Sequence, residues 1–309
     1  MDWLAVALRF GLYLDLMLLF GTAAFALHAL RGTERTSGAV LPLLPVALAT
    51  AAAGIALSVL GLLDLTAATA GTGLFAVDRD TLDVLLWNTG VGTAWIVRIA
   101  ALLATAVAAL ALRRAPSVAS LATAAGGALA LATLAWGGHG AMHEGFSGDL
   151  HLAVDIAHLF AAALWIGALF SLAALVLPAT VGADAARLRL AHRALAGFSA
   201  MGTLAVAMLI VTGTANALWI VGPTGLAGLP ATQYGVLLFA KLLLFAAMLA
   251  LATANRFRLV PRFEAALAAR AHQSALGALR RSLAVETLLG VAILALVGWL
   301  GTLDPSGGQ

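Results

Sequence analysis

The run "HLAVDIAHLFAAALWIGALFSLAALVL", residues 151–177, carries no charged side chain after Asp155. It is longer than the ~20 apolar residues needed to cross a bilayer core. Hydrocarbon offers no partner to free backbone groups, so a segment of this kind satisfies its own amides as a helix. The apolar and polar positions do not alternate every second residue, which excludes the strand pattern of a membrane barrel. Similar runs recur at about 3–29, 42–66, 91–112, 117–136, 196–220, 234–254 and 282–301. With 62% hydrophobic and 10% charged residues, and a mean hydropathy of +1.03, the composition is not that of a soluble globular domain. The sequence therefore predicts an all-α, polytopic membrane helix bundle with eight transmembrane helices in a single membrane domain, 1–309. The first run starts at Met1-Asp2-Trp3 without a basic leader, so it is read as a retained membrane helix and not a cleaved signal.

Arginine orients the bundle. Thirteen basic residues follow spans one, three, five and seven: Arg31, Arg35, Arg113, Arg114, Arg187, Arg189, Arg193, Arg256, Arg258, Arg262, Arg270, Arg280 and Arg281. The opposite loops hold only Arg79, while Arg9, Arg98 and Lys241 fall inside spans. The positive-inside rule then predicts both termini outside. Within the outer loop 67–90, "DRDTLDVLLWNTG" predicts a short interfacial helix. The Arg- and Ala-rich segment 255–282 predicts helix with a basic face suited to anionic membrane lipid.

Two motifs recur. Thr89-x-x-Gly92-x5-Arg98 matches Thr232-x-x-Gly235-x5-Lys241, and Gly61-x-x-Asp64 matches Gly213-x-x-Asn216. They suggest two parallel four-helix halves, 1–136 and 137–309, a plan used by transporter folds. Arg98 and Lys241 lie about 9 Å inside their spans. Charges at that depth are expensive unless paired or hydrated, so Asp15 and Asp64 are expected to join Arg98 and Lys241 in an intramembrane charge network.

Four of the seven histidines crowd the outer connection between spans four and five. His151, Asp155 and His158 share a ~60° arc of one helical face. His139 and His143 sit four apart in the preceding glycine-rich linker, with Met142 beside them. Imidazole nitrogen favours Cu(II) and thioether sulfur favours Cu(I), so the candidate metal ligands His139, Met142, His143, His151, Asp155 and His158 point to copper. Cysteine is absent, which removes disulfides and thiolate sites. His28, His192 and His272 lie near inner helix ends and are expected to complement helix termini. No nucleophile–base pair or hydrolase metal spacing stands out, so no enzyme is expected.

"GVGTAWIVRIAALL", "DIAHLFAAALWIGAL", "FSAMGTLAVAMLIVTGTANAL" and "TQYGVLLFAKLLLFAAMLALATANRFRLVP" together resemble the copper resistance protein D family of bacterial inner-membrane proteins. The most specific pieces are His158 with Leu164-Trp165-Ile166-Gly167, Tyr234-Gly235 with Lys241, and Asn255-Arg256 with Pro261. The resemblance implies an eight-span protein of the bacterial cytoplasmic (inner) membrane that moves copper inward, working beside a separate periplasmic CopC-like copper-binding protein. The expected function is therefore copper uptake, homeostasis or resistance, with copper as the ligand and no nucleic-acid partner. Two alternatives stand beside it: a haem-binding or redox membrane protein, and a metal-sensing membrane subunit that does not transport.

Overall fold

The computed structural model describes residues 2–35, 41–137, 145–177, 185–225, 228–268 and 273–304. His139, Met142, His143 and His272 lie outside the described residues. The helices are α1 (Trp3–Ala29), α2 (Leu43–Ala70), α3 (Arg79–Asn88), α4 (Gly90–Leu110), α5 (Pro116–Ala132), α6 (Gly145–Val176), α7 (Ala185–Gly225), α8 (Gln233–Ala254), α9 (Val260–Ala268) and α10 (Gln273–Leu300). Eight helical segments are long and apolar enough to cross a membrane, as the sequence predicts, and the described residues contain no strand. The chain is a multi-pass, all-α membrane protein.

α1 and α6 form the core and share the most extensive interhelical contact. Their crossing is set by glycine. A Cβ on Gly21 would run into the Ala163 carbonyl and the Gly167 backbone, and one on Gly167 would run into Gly21. Small residues at such a crossing let two backbones touch, which is how helices gain packing energy where lipid removes the hydrophobic drive. α5 closes on α1 in the same manner, with Gly127 against the Phe20 backbone. α2 and α4 flank one side, and α7, α8 and α10 the other.

Helices outrun the apolar spans at the basic end. The span expected at 196–220 belongs to a helix that starts at Ala185, and the one expected at 282–301 starts at Gln273. The added residues are rich in Ala, Arg and Leu, whose helix propensity carries the helix beyond hydrocarbon. α7 bends near its other end at Gly222, whose φ of 69° falls in the left-handed region that glycine tolerates. The interfacial helix expected in the outer loop is α3; Leu82, Leu85 and Leu86 are half-buried, while Trp87 is exposed.

Arginines also close helix ends. Arg35 donates to the Ala26, Leu27 and Leu30 carbonyls at the end of α1, and Arg280 donates to the Val176 carbonyl at the end of α6. A cation there meets the unpaired carbonyls and the negative end of the helix dipole. His28 meets the Gly197 carbonyl at 3.2 Å, and His192 lies 3.6 Å from Glu264. Arg193 grips both oxygens of Glu34 at 2.8 and 2.6 Å, tying the α1–α2 loop to α7. Burial works against the Glu34 charge, but the hydrogen bonds from Arg193 and the Arg31 N–H, with both guanidinium charges, outweigh it and hold the carboxyl below its usual range.

Replacing Gly167 by Leu should force α1 and α6 apart and destabilise the bundle by about 1–3 kcal/mol or more; an unchanged thermal midpoint in detergent would refute the crossing. A carboxyl with a depressed folded pKa contributes stability that is present above its unfolded value and lost as pH falls through the folded one. The acid limb of the stability profile, at pH 4.5 and below, should therefore flatten in Glu34→Gln, as read by melting temperature against pH.

Candidate functional site

His151, Asp155 and His158 of α6 lie on the face predicted by their spacing, and α7 meets each of them. His151 stacks on Trp219, with ring centroids 4.9 Å apart and planes 20° from parallel. Asp155 accepts a hydrogen bond from the Asn216 amide at 3.1 Å. His158 Nδ1 lies 2.8 Å from the Thr212 hydroxyl. The α7 partners at 212, 216 and 219 have the spacing of one helical face, as do 151, 155 and 158 on α6, and the two rows run antiparallel. Gly213 makes room for this, since a Cβ there would come within 3.3 Å of the His158 ring.

The hydrogen bonds fix the state of His158. Thr212 donates its only proton to the Met208 carbonyl at 2.6 Å. Its oxygen is left as an acceptor, so His158 Nδ1 carries the ring proton and Nε2 keeps its lone pair. That is the tautomer of an imidazole prepared to bind a metal. His151 is also almost fully buried, at 1% exposure. His151 and His158 stand about 10 Å apart along α6, two turns of helix. Among the described residues, no three His, Asp or Glu side chains are arranged to hold one metal ion.

Among the described residues no ion pair joins Asp15 or Asp64 to Arg98 or Lys241. Lys241 of α8 interacts electrostatically with Asp155, and its charge also reaches His158. The aspartate read from the sequence as a ligand or ring-orienting group thus also lies within the electrostatic reach of Lys241. Arg98 makes no carboxylate ion pair among the described residues; its Nε donates to the Thr133 hydroxyl at 2.7 Å. Arg9 donates to the Gly137 carbonyl, and Tyr13 feels the charges of Arg9, Arg98 and Asp155. Asp15 is buried elsewhere, between α1 and α2, with one oxygen where a Cβ on Gly54 would sit. Asp64 is half-buried near the end of α2 that leads to α3.

Tyr13, Thr212, Asn216 and Trp219 belong to the site but did not stand out in the sequence. Asn216 had a signal, since it ends the repeated Gly213-x-x-Asn216 motif. The other repeated motif does the same local work twice. The Thr89 and Thr232 hydroxyls accept from the Gly92 and Gly235 N–H groups at 3.1 and 3.0 Å, capping α4 and α8. Neither glycine could carry a Cβ, because the Leu85 and Leu86 carbonyls occupy the space in one case and the Leu229 carbonyl in the other. The two caps set Arg98 and Lys241 at matching depths on their helices.

The family profile described as Copper resistance protein D matches residues 192–300, and that described as Copper resistance protein D-like, N-terminal domain, matches residues 1–149. Copper resistance protein D of Pseudomonas syringae pv. tomato is 42% identical over 304 residues, covering 98% of this chain and 97% of the relative. The chain belongs to the copper resistance protein D family. Inner membrane protein YebZ of Escherichia coli K12 is 30% identical over 305 residues, covering 97% of this chain and 98% of that relative. No solved structure matches. Within this member of the copper resistance protein D family, the α6–α7 pairing falls where the two profiles leave a gap and resume: His151, Asp155 and His158 lie between them, and Thr212, Asn216 and Trp219 lie in the second.

Replacing Asn216 by Leu removes the hydrogen bond to Asp155 and should destabilise the protein by about 1–3 kcal/mol. Thermal unfolding of the purified variant reads this, and a wild-type midpoint would exclude Asn216 as a supporting partner.

Proposed function

We propose that the protein carries copper ions across the bacterial inner membrane as a non-enzymatic transporter, with both termini outside. Capture takes place at the outer end, where His151, Asp155 and His158 line α6. His139, Met142 and His143 precede them in sequence and would supply further nitrogen and the one thioether. The observation that carries this reading is the Thr212–His158 hydrogen bond, which leaves an imidazole lone pair available inside a membrane bundle. A soft or borderline metal cation is the ligand such a nitrogen suits, and copper is the one that family membership favours.

Lys241 fits this reading. A cation entering beside a free lysine would be repelled, but Asp155 balances Lys241 before the ion arrives. Arg98 is held on Thr133, in the other half of the chain. A separate CopC-like periplasmic protein would deliver copper to the outer end.

Joint replacement of His151 and His158 by Ala should abolish copper-dependent accumulation in cells and reduce copper bound to purified protein; unchanged values of both would sink the assignment. Thr212→Val should keep the fold and lower copper affinity about 10–100-fold, because it frees the ring and its tautomer. A Soret band in the purified protein would instead favour haem, and bound copper without flux in proteoliposomes would favour a sensor.

A further inference from the structure

A cavity lies at the other end of the bundle from the histidines. It has a volume of about 460 Å³ and lies between α6, α7, α8 and α10, reaching Ser199, Thr203 and Arg256 toward the basic end. Most of its wall is apolar, but polar atoms converge at its depth. Glu286 of α10 is buried at 3% exposure and accepts a hydrogen bond from the Asn255 amide. The Asn255 Oδ1 and Trp165 Nε1 atoms also belong to cavity-lining residues, and neither has a hydrogen-bond partner among the described residues.

Three features make this more than a packing defect. An apolar lining alone would stay dry, whereas a buried acceptor, a buried donor and a carboxyl are the partners that hold internal water. An unsatisfied acceptor or donor costs about 1–3 kcal/mol each, and water in a space of this size removes that penalty. The chain also departs from α-helix at this point. Asn255–Leu259 forms a π-turn between α8 and α9, a rare bulge found mostly at functional sites. It brings Asn255 against Glu286 and Arg256 against Thr203, so one irregularity supplies both the deep and the shallow polar groups.

We propose that Glu286 is a proton-binding site, reached through this cavity by water from the arginine-rich end of the bundle. Among the described residues of the wall, the Glu286 carboxyl is the only group that both holds and releases a proton readily. The other charged group on the cavity wall is Arg256, toward its mouth; α6 contributes Trp165 and α7 contributes Ser199 and Thr203, with no charge from either. Asn255 stays bonded to either form of the acid, as donor to the carboxylate or, through Oδ1, as acceptor from the protonated group. An intramembrane acid with one amide partner and a water path is the arrangement used to relay protons. The inference does not depend on copper, since it concerns other residues at the other end.

The absence of cysteine makes the native chain a clean background for thiol labelling. Ser199→Cys and Leu283→Cys, at the cavity wall, should react with a membrane-impermeant methanethiosulfonate reagent from the same side as Arg114→Cys in an arginine-rich loop. Labelling from the opposite side only, or no labelling at either cavity position, would overturn the water path. Infrared difference spectra of reconstituted protein after a pH step should contain a carboxyl C=O band that Glu286→Gln removes. The Asn255→Ala variant, which keeps the acid, should retain the band at a shifted frequency. A spectrum unchanged by Glu286→Gln would overturn the proton site, whether or not the protein moves copper.

Discussion

The backbone contact between Gly21 and Gly167 is the constraint on which the rest of the bundle depends. In lipid, two apolar helices gain little by hiding from each other, so association has to come from close packing. A pair of glycines in register gives α1 and α6 that contact, and α6 becomes the most buried of the eight candidate spans. Once α6 is fixed in the centre, its polar row faces α7 and is kept from lipid. The site is therefore positioned from the far side of the helix that carries it. Its His and Asp residues stay put because the glycine face behind them cannot move.

Burying polar groups in such a helix is costly unless each finds a partner. The α6–α7 interface gives Asp155 an amide and His158 a hydroxyl, while His151 stacks on an aromatic ring. The charge of Lys241 also acts on Asp155. The cost of sheltering these groups explains why so much of α7 matches α6 in spacing, and why a small residue, Gly213, stands where the His158 ring passes.

Much of this could be read from the amino-acid order. Eight apolar runs give eight candidate spanning helices, because a membrane leaves the backbone no other way to satisfy itself. The common face of His151, Asp155 and His158 follows from helical geometry alone. Their partners were not legible in the same way, since Thr, Asn and Trp in an apolar helix carry no periodic signal that points to another helix. The pairing of Lys241 also escaped notice. Depth along a span shows that a lysine needs a carboxylate, but which carboxylate depends on how the helices rotate about one another. Asp15 and Asp155 are both near-membrane acids in the sequence; only packing puts one within the electrostatic reach of Lys241 and the other against Gly54.

The cavity has an electrical consequence. Water reaching Trp165 and Glu286 would bring the conducting phase well inside the bilayer, leaving His158 and Trp165 about 10 Å apart along α6. With an aqueous phase at His158 as well, the full membrane voltage would fall across that thin layer instead of the ~30 Å of a whole hydrocarbon core. An elementary charge crossing it would feel about 2.3 kcal/mol per 100 mV over two helical turns. Gly21 meets the Ala163 backbone within this layer, and by leaving no space between the helices that contact insulates one face of the membrane from the other.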